Sequence, residues 1–238
     1  MKVLLIRHGE TDLQARKCYQ GTIDVPLSQE GRRKLQAGRS KQAKESGKPF
    51  GEPAGSGGSV FLCPGEAIHP ARVYVSPLKR ARETAGILFP QAEQIVVPGL
   101  RDMDFGSFEG RSYMDMEKDP DYRAWVDGMC VGPCPGGESR EEHCTRTCRA
   151  FEEVLHQARM RGETSVVIVA HGGTQMAVLD RFAERNAGEP EDKLPDYYGW
   201  QLPCACGYVL EAAFPEEAGQ ERLLQPSLHV LGTCSLAE

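Results

Sequence analysis

Twice in this chain a short, continuous apolar run leads into a histidine followed by glycine, directly in one case and across a single arginine in the other. The first run reads Val3-Leu4-Leu5-Ile6-Arg7-His8-Gly9, and the second Val167-Ile168-Val169-Ala170-His171-Gly172-Gly173. A run that is apolar at every position, not every second one, marks a strand buried on both faces, as in parallel sheets covered by helices. Ligands of such sheets bind beyond the carboxyl ends of the strands. Both histidines therefore fall where a ligand would sit. The glycine after each lets backbone N–H groups approach that ligand closely. Gly172 and Gly173 also open a helical stretch, whose N-terminus favours an anion.

The remaining pattern agrees with this sheet. Ser28 is the predicted N-cap of a basic helix reaching about Lys44. Val73-Tyr74-Val75 reads as a strand, Ser76-Pro77 opens a helix to about Leu88, and Gln94 to Val97 reads as another strand. A long helix is predicted from Glu138-Ser139 to about Met160, then a strand at Ser165 to Ala170 and a helix to about Arg185. Two tail strands are predicted, Gly207 to Glu211 and Ser227 to Leu231. Strands alternating with helices predict an α/β sandwich with a mostly parallel central sheet flanked by helices. At 238 residues the expectation is a single domain over 1–238. Residues 46–70 are rich in Gly, Pro and Ser and read as a flexible insertion, with a hairpin around Val60-Phe61-Leu62. Residues 100–138, broken by Pro120, Pro133 and Pro135, read as a cap segment beside the site.

Charge narrows the partners. The formal net charge is −6, which argues against a dedicated nucleic-acid or anionic-membrane binder. No stretch approaches the roughly 18 consecutive apolar residues of a membrane span. The apolar run at Val3 to Ile6 is too short for a signal-peptide core, so the expected location is cytoplasmic. The nine cysteines include two C-x₃-C pairs, Cys130/Cys134 and Cys144/Cys148. Zinc is one reading of them, but the second pair falls in a predicted helix, and reduced thiols are the preferred reading.

Arg7 adjoins the first histidine, and Arg80 lies just beyond the strand that ends at Ser76. Two arginines and two histidines at neighbouring strand ends would converge on one anionic group. Arginine suits that work because its planar fork binds two phosphate oxygens at once.

These residues carry a resemblance. Arg7-His8-Gly9-Glu10-Thr11 is similar to the signature of the histidine phosphatase superfamily, in its phosphoglycerate-mutase-like branch. Further blocks follow in the family's order: Tyr19-Gln20-Gly21, Pro26-Leu27-Ser28, Ser76-Pro77-Leu78-Lys79-Arg80, Pro135-Gly136-Gly137-Glu138-Ser139 and Ala170-His171-Gly172-Gly173. The resemblance implies a three-layer, phosphoglycerate-mutase-like fold and no cofactor or metal. It implies His8 as the nucleophile that becomes phosphorylated, and Arg7, Arg80 and His171 as the phosphate pocket. Gln20 and Gly21 stand where the family contacts substrate, and Gly172 N–H where it binds phosphate. His171 is expected to be protonated beside the phosphate and His8 neutral.

Two positions depart from the family. Gln14 stands where an asparagine is usual, and Asp102 where the proton donor is usually glutamate. The resemblance makes Asp102 the acid/base, with Asp104 and Glu109 as neighbouring alternatives. The block Asp104-Phe105-Gly106-Ser107-Phe108-Glu109-Gly110 is similar to that of bacterial small-molecule phosphatases, among them α-ribazole phosphatases. Many acidic residues in 102–127 suit poorly the retention of a bisphosphorylated intermediate. Tyr197-Tyr198-Gly199-Trp200-Gln201 could line a substrate pocket or simply pack. The expected activity is a metal-independent phosphatase for a small phosphate ester. A cofactor-dependent mutase and a non-catalytic phospho-ligand binder stay open, as does a homodimer.

Overall fold

The computed structural model describes residues 1–45, 61–63, 66–68, 70–184, 196–215 and 225–237. The strands are β1 (Lys2–Arg7), β2 (Phe61–Cys63), β3 (Glu66–Ile68), β4 (Arg72–Val75), β5 (Glu93–Val96), β6 (Ser165–Ala170), β7 (Cys206–Ala213) and β8 (Ser227–Ser235). The helices are α1 (Asp12–Ala15), α2 (Gln29–Glu45), α3 (Lys79–Leu88), α4 (Pro120–Asp127), α5 (Arg140–Met160) and α6 (Gly172–Phe182).

Six strands form one sheet in the order β5-β4-β6-β1-β7-β8. β5, β4, β6 and β1 run parallel, while β7 and β8 continue the sheet antiparallel. The continuous apolar runs explain its centre. Val3 and Leu5 face one core layer with Ile168, packed by Phe151, Val154 and Leu155 of α5 and Val178 and Phe182 of α6. Leu4 and Ile6 face the other layer with Val167 and Val169, packed by Leu35 of α2 and Ala81, Ala85 and Leu88 of α3. Alternate side chains of one strand therefore feed two cores, which gives the expected three-layer sandwich.

Register sets the site. Arg7 lies opposite Ala170 in the β1–β6 pair, and Val75 opposite Val169 in the β4–β6 pair. His8 N–H continues the ladder to Ala170 O at 3.0 Å, and Ser76 N–H to Val169 O at 3.1 Å. His8, His171 and Ser76 thus leave three adjacent strands side by side.

Several boundaries moved. α3 begins at Lys79, not Ser76, because Ser76 is still held by the sheet and the residue before a proline disfavours helix. α6 stops at Phe182, where extended Ala183 bridges to Leu228. Both tail strands are longer than expected, since they pair with each other along their length across one irregularity at Val209/Leu210. Most of the insertion expected to be flexible lies outside the described residues. Within it, β2 and β3 form the expected hairpin. The cap carries an apolar cluster of its own, Met103, Phe108, Met116, Trp125 and Cys134. The C-x₃-C pairs do not meet as a metal site among the described residues. Cys134 joins the cap cluster, whereas Cys148 donates to Ala177 O between α5 and α6. Among the described residues no helix is long and apolar enough to cross a membrane.

Candidate active site

His8 is 1% exposed at the end of β1. Its Nδ1–H donates to its neighbour's carbonyl, Gly9 O, at 2.7 Å. That bond leaves the lone pair on Nε2, and Arg80 Nε donates to it at 3.3 Å. Burial, then the charges of Arg80 and Arg7, push the His8 imidazole well below its ordinary pKa. The ring is therefore neutral, with Nε2 as its nucleophilic atom.

Arg80 is fully buried in the first turn of α3. Its Nη1 donates to Ile23 O at 2.9 Å, and Nη2 to Gly21 O at 2.7 Å and Asp102 Oδ2 at 3.2 Å. These contacts pin the guanidinium against both His8 and Asp102. Thr84, one turn on, donates to Arg80 O at 2.6 Å and accepts from Gly9 N–H at 3.0 Å. It ties the arginine's helix to the loop that follows His8.

Asp102 stands at the same point, with Oδ2 3.3 Å from His171 Nδ1 but without hydrogen-bond alignment. Burial raises its pKa, although Arg80 and the Met103 N–H pull the other way. A carboxyl so placed holds a proton further up the pH scale than a free aspartate does. The two alternatives are engaged elsewhere. Glu109 accepts the N–H groups of Gly21 at 3.0 Å, Thr22 at 2.7 Å and Phe105 at 3.2 Å. Asp104 Oδ1 accepts from Gly106 N–H at 2.9 Å.

His171 caps α6, and its Nε2 lies 2.7 Å from Ser76 Oγ. Burial, then Arg80, push its pKa well below the ordinary value. Its protein surroundings thus favour the neutral ring, and the protonated His171 expected beside a phosphate would need that anion's charge to oppose them.

A cavity of about 330 Å³ opens onto this cluster, lined by Arg7, His8, Gln14, Gln20, Asp102 and Gly172 among others. Arg7 Nη1 donates to Leu202 O at 2.6 Å, while its buried Nε has no partner among the described residues. Gln20 Oε1 accepts from Thr11 Oγ1, and its buried Nε2 is likewise unpartnered. Gln14 spends its oxygen on the α1 cap, accepting from Thr11 N–H at 3.2 Å. Gly21 is not part of the lining. A Cβ there would fall 1.7 Å from Met103 O, so this glycine permits close loop packing and offers its carbonyl to Arg80.

The aromatic tail divides. Tyr197 and Tyr198 line the cavity, whereas Trp200 packs in the sandwich core. Of the acidic residues in 102–127 only Asp102 lines the cavity, while Asp115 bonds Ser112 and Asp119 pairs with Arg111. Ser76, Thr84, His143 and Arg146 were not singled out from sequence. Their polar type at core-facing positions was the available signal.

The sequence pattern of the histidine phosphatase superfamily (branch 1) matches residues 3–47 and 65–197. The chain belongs to the histidine phosphatase superfamily, branch 1. Among curated relatives of this superfamily member, a metal-independent phosphoserine phosphatase of Arabidopsis thaliana is 29% identical over 78% of this chain and 70% of its own length. A broad-specificity phosphatase of Saccharomyces cerevisiae is 26% identical over 75% of this chain and 69% of its own. The chain spans 40% of the length of a bifunctional protein of Mycobacterium tuberculosis to which it is also 29% identical. An alpha-ribazole phosphatase from Shigella flexneri has the same fold, with a TM-score of 0.63 at 21% identity, covering 94% of this chain and 96% of that one. A phosphoglycerate mutase from Thermus thermophilus does too, with a TM-score of 0.58 at 24% identity, covering 89% and 93%. The histidine phosphatase fold is therefore shared by a phosphatase and a mutase.

Proposed function

We propose that this superfamily member hydrolyses a small-molecule phosphomonoester, without a metal, through a phosphohistidine on His8. The observation that carries the reading is the buried, neutral His8 whose Nε2 lone pair faces Arg80 at 3.3 Å. A phosphoryl group drawn to Arg80 would meet that lone pair.

In the first step His8 Nε2 attacks phosphorus and the bond to the ester oxygen breaks. Asp102 gives its proton to the departing oxygen, so the alcohol leaves neutral. In the second step water attacks the phosphohistidine, Asp102 takes the water's proton, and phosphate is released. One difficult displacement becomes two easier ones. Charge on the transferring group is matched by Arg80 and by the unpartnered donors Arg7 Nε and Gln20 Nε2, with His171 and Gly172 closing the pocket.

His8, Asp102 and His171 offer ligand atoms within 4.8 Å of one another, the geometry of a metal site. Arg80 argues against one. Its fixed charge contacts two of those three residues and would repel a divalent cation. In this reading residues 1–238 act as one domain, and the segment 100–138 walls the leaving-group side. α-Ribazole phosphate is the first natural substrate to try, on the likeness of the cap block to such phosphatases.

The test is phosphate release in EDTA by wild type and His8→Ala. Substrates are α-ribazole phosphate, O-phosphoserine, 3-phosphoglycerate and p-nitrophenyl phosphate. EDTA-resistant release that His8→Ala abolishes is the expected result. Phosphate exchange between hydroxyls with little release would make the chain a mutase. Binding with neither reaction would make it a phospho-ligand binder.

A further inference from the structure

One buried histidine at the cavity has no part in the steps above. His143 lies in the first turn of α5, fully buried, and is one of the cavity's lining residues. Its Nδ1 is 3.2 Å from Arg146 Nη2. A guanidinium can only donate, so Nδ1 accepts and the ring proton sits on Nε2. Arg146 is itself fixed. It donates to Glu138 at 3.0 and 2.8 Å and to the carbonyls of Gly99 at 2.8 Å and Arg101 at 2.9 Å. Burial, then the charge of Arg146, push His143 down to about 4, so near neutral pH the ring is an uncharged donor in one tautomer. Its Nε2–H has no hydrogen-bond partner among the described residues. The Gly173 backbone lies beside it and favours the protonated ring, but out of hydrogen-bond alignment.

The position of that N–H is informative. A Cβ on Gly173 would lie 2.9 Å from His143 Nε2 and 3.0 Å from Asp102 Oδ1. The missing side chain at 173 leaves a space faced by both the donor and the carboxyl. Asp102 is the group assigned above to the leaving oxygen, so His143 stands on the leaving-group side of the phosphate.

We propose that His143 Nε2–H binds an oxygen of the leaving group close to the ester oxygen. It thereby selects phosphomonoesters whose alcohol carries a neighbouring hydroxyl, ether or carboxylate oxygen. This deepens the phosphatase reading and rests on it for the position of the ester. A buried donor left unpaired is costly, and a substrate acceptor at that point removes the cost. A substrate without the acceptor leaves it in place, which is how polar sites discriminate strongly.

The test compares sn-glycerol 3-phosphate with n-propyl phosphate, which has the same carbon chain and no hydroxyls. Wild type should favour the glycerol ester by about 10- to 100-fold in kcat/KM. In His143→Phe, which keeps a planar ring and loses the donor, that preference should shrink to about threefold or less, mostly through KM. His143→Gln restores an N–H donor and should recover most of it. Equal losses on both esters, or no recovery in the glutamine variant, would reduce His143 to a packing residue. A second reading does not depend on turnover. In ¹⁵N-labelled His8→Ala, the His143 Nε2–H resonance should move on adding sn-glycerol 3-phosphate and stay in place with inorganic phosphate. No movement with the ester overturns the proposal. Movement together with a wild type that hydrolyses neither ester would leave the subsite standing and remove the phosphatase reading instead.

Discussion

The imidazoles of His8 and His171 meet edge to face, with ring centroids 5.2 Å apart and planes at 63°. Two rings so close, both buried beside Arg80, cannot readily carry charge at once. The pH profile follows. His8 must be unprotonated to attack, and its lowered pKa places the acid limb of kcat/KM below 6.5. Asp102 must hold a proton, and activity should fall as pH rises through its raised pKa. The optimum is expected on the acid side of neutrality once the substrate's own ionisation is allowed for. An acid limb at or above 6.5 would contradict the neutral His8 described here.

Asp102→Asn removes the acid and keeps the shape. Turnover of alkyl phosphates should fall about 10²–10⁴-fold. p-Nitrophenyl phosphate, whose leaving group needs no proton, should lose far less. Equal losses on both substrates, measured as kcat, would show that Asp102 serves to hold Arg80 and nothing more.

Arg80→Lys keeps a positive charge but cannot reach Gly21 O, Ile23 O, Asp102 and His8 together as the fork does. Its kcat should drop about 10²–10³-fold, as when an oriented transition-state donor is removed. Near-wild-type kcat in the lysine variant would mean that charge alone suffices.

Gly21→Ala should act on stability first. The added methyl would meet the Met103 backbone at 1.7 Å, which no side-chain rotation relieves. A loss of about 3 kcal/mol or more is expected from denaturant unfolding. An alanine variant as stable as wild type but with raised KM would return this glycine to the substrate-contact role implied by family resemblance.

Acid should weaken the fold in two stages. A histidine whose folded pKa is lowered takes up its proton more readily when unfolded, so its stabilisation is present above the unfolded pKa and lost as pH falls. For His143 that window runs from 6.5 down to about 4 and is worth up to about 3 kcal/mol. Glu138 acts lower. Burial alone would raise it, but hydrogen bonds from Arg146 and the Asp104 N–H bring it to about 2, so its contribution fades from 4.5 toward 2. Thermal unfolding of wild type and His143→Phe across pH 7 to 4 should show a shallower slope in the variant. Parallel slopes would show that His143 is not the group responsible.

The centre of the fold was legible because each strand run states its own burial. Val3 to Ile6 and Val166 to Ala170 are apolar at every step, and both lie in strands as read. The paired histidines were legible for the same reason, His171 being the first polar residue after its run and His8 following its run by one residue, Arg7. The close packing of Gly21 on the Met103 backbone was not legible, because a family block says nothing of what lies across from it in the fold. Arg146 and His143 went unremarked because a polar residue on a long helix looks solvated until the loop it packs against is known. Register, not pattern, puts Ser76 against His171: that contact depends on β4 pairing with β6, a relation between distant segments.

The placement of β1 has a consequence for how the protein comes into being. Its neighbours on either side are residues 165–170 and 207–211, both made long after it. Contacts this distant in sequence form slowly, because the intervening chain must be ordered to close them. A strand synthesised well before its partners is thus among the last to be secured, and no portion that stops before β6 can bring His8 to His171. Catalytic competence during refolding should therefore arrive with completion of the sheet and lag behind the helices, which form from local contacts.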